Sequence, residues 1–320
     1  MISLQDIRDA AQRIAPYINH TPLLRTPALD PLVGAAVYLK PENLQVIGAF
    51  KIRGASNALL SLTEDEKAKG VIACSSGNHG QAVAYMSHKL GIDAKIVMPE
   101  NYNPVKKAGV ESWGGTVILH GIKSSERAEK ALEIAEKEGR TFIHPYMNDN
   151  VKAGQGTIGL EILEDCPDID TVCVPVGGGG LIGGISVAIK NIRPKTRIVG
   201  VEPTGAMRYA ISRELGRPIK LPNTDTIADG TRGNIAVQCN FEIIERYVEE
   251  LIDATNDEVR AGLRAIVSKA KLVAEPSSVM GLGAAISGKL NCRPDEKVCF
   301  VLSAGNNNVE FLAKVLLGEA

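Results

Sequence analysis

Short apolar runs alternate with amphipathic stretches along almost the whole chain, and no other feature restricts its fold as much. Val37-Tyr38-Leu39, Val71-Ile72-Ala73-Cys74, Ala94-Lys95-Ile96-Val97-Met98, Thr116-Val117-Ile118-Leu119 and Thr141-Phe142-Ile143 read as strands, as do residues 171–176, 197–201 and 298–302. Between them, residues 51–62, 78–90, 104–113, 125–138, 181–189, 257–271 and 309–317 read as helices, and 158–163 lies on another. Ala128, Leu132 and Ala135 mark the apolar face of one of them. Thr63-Glu64-Asp65-Glu66 has the form of a capping box. Residues 217–233 read as less regular. Strand–helix alternation requires parallel sheets with both faces covered, so the expected class is α/β.

The bulk properties remove several function classes. A net charge of −1 leaves no positive footprint for nucleic acid. No apolar stretch approaches a membrane span. With 44% apolar and 23% charged residues over 320 positions, the chain reads as globular. The N-terminus carries acids and lacks a signal-type apolar core. Six cysteines form no C-x-x-C pair, and five histidines have no metal-ligand spacing. A reducing, cytoplasmic setting is the expectation.

Three turns stand at strand ends. Gly177-Gly178-Gly179-Gly180 precedes a helix. Four glycines put no side chain between an anion and the backbone N–H groups, and the helix adds its positive end. A packing turn rarely needs four residues of such entropic cost, so this one reads as an anion cradle. The same stretch fits a dinucleotide fingerprint: Gly178, Gly180 and Gly183 are spaced G-x-G-x-x-G, and Glu202 ends the next strand. In Ser75-Ser76-Gly77-Asn78-His79-Gly80, hydroxyls, an amide and free backbone donors meet at a helix start. That suits a carboxylate such as an amino acid's, whereas a plain N-cap accounts for one serine. Ser303, after the last strand, is by itself a simple N-cap. In open α/β sheets, however, ligands sit at the C-terminal ends of strands, where all three turns lie.

Lys51 follows Phe50 in a largely apolar run between Gly48 and Gly54. Burial lowers a lysine's pKa and exposes a nucleophilic nitrogen. The plain alternative is a packed stem with its head in water. Two distant glycine-rich turns with anion-binding character favour the chemical task.

Together these segments resemble the fold-type II pyridoxal-phosphate (PLP) enzymes, which have the tryptophan synthase β-like fold. The nearest group is the serine/threonine dehydratases and serine racemases. The likeness is carried by Lys40-Pro41-Glu42-Asn43, residues 48–54, 75–80, Ala153-Gly154-Gln155-Gly156-Thr157, 177–181, Val201-Glu202-Pro203, Ala228-Asp229-Gly230, Glu275-Pro276 and 302–306, in family order. It implies two open, twisted, mostly parallel sheets with helices on both faces. Residues 1–65 and 148–320 would form a large PLP-binding domain and 66–147 a small one, with no C-terminal regulatory domain. Lys51 would carry PLP as a Schiff base and move the substrate's α-proton. Phe50 would line the ring, Asn78 would face its hydroxyl, and Gly177, Gly178, Gly179, Gly180 and Leu181 would hold the phosphate. Ser75, Ser76, Asn78, His79 and Arg127 would surround the substrate carboxylate. Ser303 would bond the pyridine nitrogen. A hydroxyl does not keep that nitrogen protonated, so the ring is a weaker electron sink, which suits prompt loss of a β-hydroxyl.

The implied activity is an L-threonine/L-serine dehydratase (ammonia-lyase) giving a 2-oxo acid and ammonia. The alternatives are a serine racemase, a 3-hydroxyaspartate enzyme or a dual activity, and, more distantly, an NAD-binding oxidoreductase. Racemisation needs a second acid/base, a serine in the racemases. Ser76 stands at that place, where many dehydratases carry alanine. Tyr146 replaces the asparagine of animal-type racemases and leans toward elimination. Relatives often bind Mg²⁺ or Ca²⁺ through a glutamate, a backbone carbonyl and an aspartate. Glu202 and Ala206 match the first two, but Arg208 stands at the third, so Glu202 is expected to pair with Arg208. A homodimer is also implied.

Overall fold

The computed structural model describes residues 1–75, 77–102 and 104–319. Among the described residues, ten strands form two sheets: β1 (Leu24–Arg25), β2 (Ala36–Pro41), β3 (Val71–Cys74), β4 (Ala94–Met98), β5 (Thr116–Leu119), β6 (Thr141–Phe142), β7 (Thr171–Pro175), β8 (Arg197–Pro203), β9 (Glu250–Ala254) and β10 (Lys297–Leu302). The six-stranded sheet runs β1-β2-β10-β7-β8-β9 and the four-stranded sheet β5-β4-β3-β6. Every pairing is parallel except β1 with β2.

Alternation along the strands builds a core on each face. Val172 and Val174 of β7 and Cys299 and Val301 of β10 meet helices Asp149–Asp165 and Gly180–Ile192. Cys173, Phe300 and Leu302 point the other way, toward Leu263 and Leu282. In the smaller sheet, Ala73 and Ile96 pack with Val83 and Met86 of helix Asn78–Leu90. Ile72 and Val97 meet Ala131 and Ile134 of helix Ser124–Glu138 on the opposite face. Both sheets are thus covered twice, as parallel pairing demands. No helix of the described residues is long and apolar enough to cross a membrane.

Helix Lys51–Leu60 lies between the two systems. Ile52 and Ala55 share a core with Ala82 and Val83. On its other side Gly54 meets Gly154: a Cβ on Gly154 would lie 2.5 Å from the Arg53 carbonyl oxygen. Only glycines allow the two helices this approach. Arg53 is fully buried and forks to two carboxylates, Glu42 at 2.7 and 2.8 Å and Glu161 at 2.6 and 2.8 Å. Lys40 completes the web at 2.6 Å from Glu161. This web fixes the helix that begins with Lys51 to the end of β2.

Several elements differ from the sequence expectation. Helix 257–271 is α-helical only over Asn256–Ala265 and continues as a π-turn to Ala270. β9 and helices Leu4–Ile14, Arg208–Leu215, Gln238–Tyr247 and Met280–Ile286 were not anticipated. Thr63 and Glu66 do form the expected capping box.

Candidate active site

β7 and β10 are parallel neighbours, with Phe300 opposite Cys173. Their C-terminal ends bring the tetraglycine turn and Ser303 to one edge of the sheet. The start of the lysine helix is stitched to the same edge. Phe50 N–H donates to the Ser303 carbonyl at 2.9 Å, Gly305 N–H to the Gly48 carbonyl at 2.9 Å, and Ala49 bridges Ala304.

Lys51 Nζ therefore sits at the strand ends. It donates to the Pro145 carbonyl at 3.3 Å and lies 4.9 Å from the centre of the Phe50 ring. It makes no ion pair among the described residues. Burial lowers its pKa from the ordinary 10.5 to about 8. The next residue along from Pro145, Tyr146, covers the glycine turn: a Cβ on Gly178 would lie 2.3 Å from its ring, and one on Gly180 2.9 Å from its Cβ. Amine and turn thus share one wall.

Gly179 has φ +86°, in the left-handed region, and caps helix Gly180–Ile192. Gly183 N–H is the first turn's earliest bond, to Gly179, so the N–H groups of Gly180 and Leu181 are free of helix partners. The Gly178 carbonyl accepts from the Tyr209 hydroxyl at 2.9 Å and from Asn240 Nδ2 at 2.6 Å. A side chain at Gly178 or Gly180 would collide with Tyr146, so the turn keeps its backbone N–H groups bare. That fits a phosphate.

Ser303 is buried, its hydroxyl 3.0 Å from that of Ser278. Ser278 also donates to the Ala304 carbonyl and accepts from its N–H. Ser303 thus presents a neutral, oriented hydroxyl at the end of β10.

The turn after β3 opens helix Asn78–Leu90. Ser75 Oγ accepts from Gly77 N–H at 3.1 Å. Asn78 donates to Glu275 at 2.8 Å and accepts from Asn306 at 2.9 Å, which fixes its side chain. Ser76, the expected second acid/base, lies outside the described residues. Arg127 is half-buried and donates to the Ile122 carbonyl at 2.7 Å.

The imidazole of His79 is committed to the backbone. Its Nε2 is 2.8 Å from the Ile143 carbonyl, which can only accept, so Nε2 carries the proton. Burial, then the nearby charge of Lys51, pushes its pKa down to about 3. The ring is neutral, its Nδ1 is an acceptor without a partner among the described residues, and it cannot donate to a carboxylate. What His79 offers is its first-turn N–H. His144, which carried no role in the sequence reading, is likewise pushed down to about 4 by burial and Lys51. Its Nδ1 accepts from Tyr146 and Met147 N–H at 3.3 and 3.0 Å.

Glu275 and Asp229 were legible only as parts of a likeness. Buried Lys106 reaches across the cleft to Asp229 at 2.8 Å and to Glu275 at 3.7 Å. Burial holds the Glu275 carboxyl above its usual range. A cavity of about 240 Å³ opens here, lined in part by Lys106, Asp229, Arg232, Glu275 and Asn306.

The cation reading does not fit. Glu202 is fully buried and accepts from the N–H groups of Tyr209 and Ala210 at 2.8 to 3.1 Å. The Ala206 carbonyl accepts from Arg208 at 2.9 Å. Both groups already hold donors, and Arg208 stands 3.9 Å from Glu202, so Mg²⁺ or Ca²⁺ here would meet a fixed positive charge. The same bonds remove the nucleotide reading, which needs Glu202 free for a ribose hydroxyl.

The chain is 40% identical over 317 residues to the L-threonine ammonia-lyase of Thermotoga maritima, covering 99% of this chain and 78% of that one. It is 39% identical over 307 residues to the serine racemase of Oryza sativa subsp. indica, covering 95% and 90%. Its fold matches maize serine racemase with a TM-score of 0.94 at 36% identity, over 99% of this chain and 97% of that one. The pyridoxal-phosphate dependent enzyme family matches from residue 14 to residue 304. The lysine helix, the cradle and both sheets fall inside that match, and the chain belongs to this family, with the fold-type II architecture.

Proposed function

We propose that this chain is a PLP-dependent ammonia-lyase that converts L-threonine or L-serine to the 2-oxo acid and ammonia. The observation that carries the reading is the Lys51 amine, desolvated in a cleft with its pKa brought down to about 8. PLP, when bound, supplies a conjugated sink for negative charge at the substrate's α-carbon. The N–H groups of Gly177 to Leu181 would hold its phosphate and Lys51 Nζ its carbonyl carbon. Phe50 and Asn78 would meet the ring and its hydroxyl, and Ser303 the ring nitrogen. Ser75, the first-turn N–H groups of Asn78 and His79, and Arg127 would bind the substrate carboxylate. A Lys51 Nζ with a pKa near 8 can take the α-proton of a bound amino acid and release it again. Ser303, bonded to Ser278, offers a neutral hydroxyl, which suits loss of a β-hydroxyl rather than transamination.

Likeness to the rice and maize serine racemases supports a second reading, racemisation of serine or 3-hydroxyaspartate beside elimination. Ser76 would be the opposing acid/base. Residues 66–147 would form the small domain, closing on the remainder in a cytoplasmic homodimer. The test is an amino-acid panel scored for both 2-oxo acid and enantiomer. L-threonine and L-serine should give 2-oxo acid. Ser76→Ala should abolish any racemisation and spare elimination; equal loss of both refutes its role. A colourless protein that takes up no PLP, or a visible cofactor band that survives Lys51→Ala, sinks the main reading.

A further inference from the structure

Arg208 is fully buried, and the proposed reaction makes no use of its charge. A guanidinium out of water is costly unless its donors are used. Glu202, at 3.9 Å, does not bond it directly. Its partners are four backbone carbonyls. Nη1 donates to Ala206 at 2.9 Å and Thr231 at 3.1 Å; Nη2 donates to Val176 at 3.2 Å and to Gly177. Val176 follows β7 directly and Gly177 opens the tetraglycine turn.

A trans peptide points its C=O and the following N–H to opposite sides. Carbonyls of Val176 and Gly177 drawn toward the guanidinium therefore turn the N–H groups of Gly177 and Gly178 away from it. Tyr209 and Asn240 do the same at the Gly178 carbonyl, which turns the N–H of Gly179. Three successive donors are thus set from behind the turn.

We infer that Arg208 is the positioning residue of the phosphate cradle and a built-in substitute for the divalent cation that the resemblance implies. It takes the Ala206 carbonyl, stands beside Glu202, and fixes the turn's carbonyls with a side-chain cation that no chelator can remove. The inference rests on reading the tetraglycine turn as the PLP phosphate site. Lysine keeps the charge but lacks the planar fork that spans paired carbonyls.

The apo-protein is titrated with PLP and with pyridoxal, which lacks the phosphate, following cofactor absorbance. Arg208→Lys should weaken PLP roughly tenfold or more and pyridoxal by less than about twofold. Equal loss for both ligands, or no loss for either, overturns the role. EDTA should change neither the melting temperature nor the PLP affinity of the wild type. A fall in either that Mg²⁺ or Ca²⁺ restores overturns the substitution, and this arm stands even if Arg208→Lys does not fold. A wild type that binds pyridoxal as tightly as PLP fails the cradle reading itself and takes the inference with it.

Discussion

Lys51→Met should make the cofactor-free protein more stable, by an amount that depends on pH. Burial lowers the amine's pKa from 10.5 to about 8 in the folded chain. Unfolding restores the higher value. Between the two, the unfolded state binds more protons, so wild-type stability rises with pH across that window. Below about pH 8 both states are protonated and the native state carries the whole cost of the buried charge. At about 1.4 kcal/mol per tenfold in proton affinity, that cost is about 3 kcal/mol. By about pH 9.5 roughly 1 kcal/mol remains. Water in the cleft screens part of the charge, so about 3 kcal/mol is the upper bound. Methionine has a similar reach and no charge. The gap between Lys51→Met and wild type should therefore shrink by about 2 kcal/mol from about pH 6.5 to about pH 9.5. Urea unfolding of both apo-proteins, followed by circular dichroism and the fluorescence of Trp113, measures it. A gap that does not change with pH, or a variant less stable than wild type at the acid end, means that the amine is satisfied where it stands. The desolvation argument for its reactivity would then fall.

Two further substitutions probe the surroundings of the amine. Gly178→Ala places a Cβ 2.3 Å from the Tyr146 ring, so the ring must leave the cradle wall. PLP affinity should fall roughly tenfold or more by absorbance titration, with stability changed by less than about 3 kcal/mol. Arg53→Met strips two buried carboxylates, Glu42 and Glu161, of their shared partner. The cost should be about 3–5 kcal/mol in urea unfolding, against less than about 1 kcal/mol for an exposed pair such as Arg260–Asp257.

The regular α/β frame could be read from the chain because its signals are local. β4 and β5 fall where their apolar runs stand, and the helix at Val309–Leu317 has the expected bounds. β9 escaped because Glu250 and Asp253 interrupt its apolar run, and it lies half-exposed at a sheet edge. The tetraglycine turn and Lys51 were legible because few other uses fit four glycines or an amine placed against an aromatic ring. Contacts made by chain topology were not. The ring of His79 is turned by the carbonyl of Ile143, and Tyr146 meets Gly178 across a long stretch of sequence. Arg208 was visible as a departure from a ligand pattern. Its four partners are main-chain oxygens, which no residue pattern encodes.

β10 lies between β2 and β7 in space, although it follows both by a long way in the chain. A ribosome therefore releases two strands that must wait, each with one side of its hydrogen-bonding ladder open, until nearly three hundred residues have been made. Over that interval the Lys51 helix has no Ser303 to anchor its first turn, and the tetraglycine turn lacks the end of β10 on one side. Catalytic competence thus arrives in one late step, when a single strand enters the gap. A ribosome stalled short of Lys297 would release a split sheet with two adhesive edges, not a weaker enzyme.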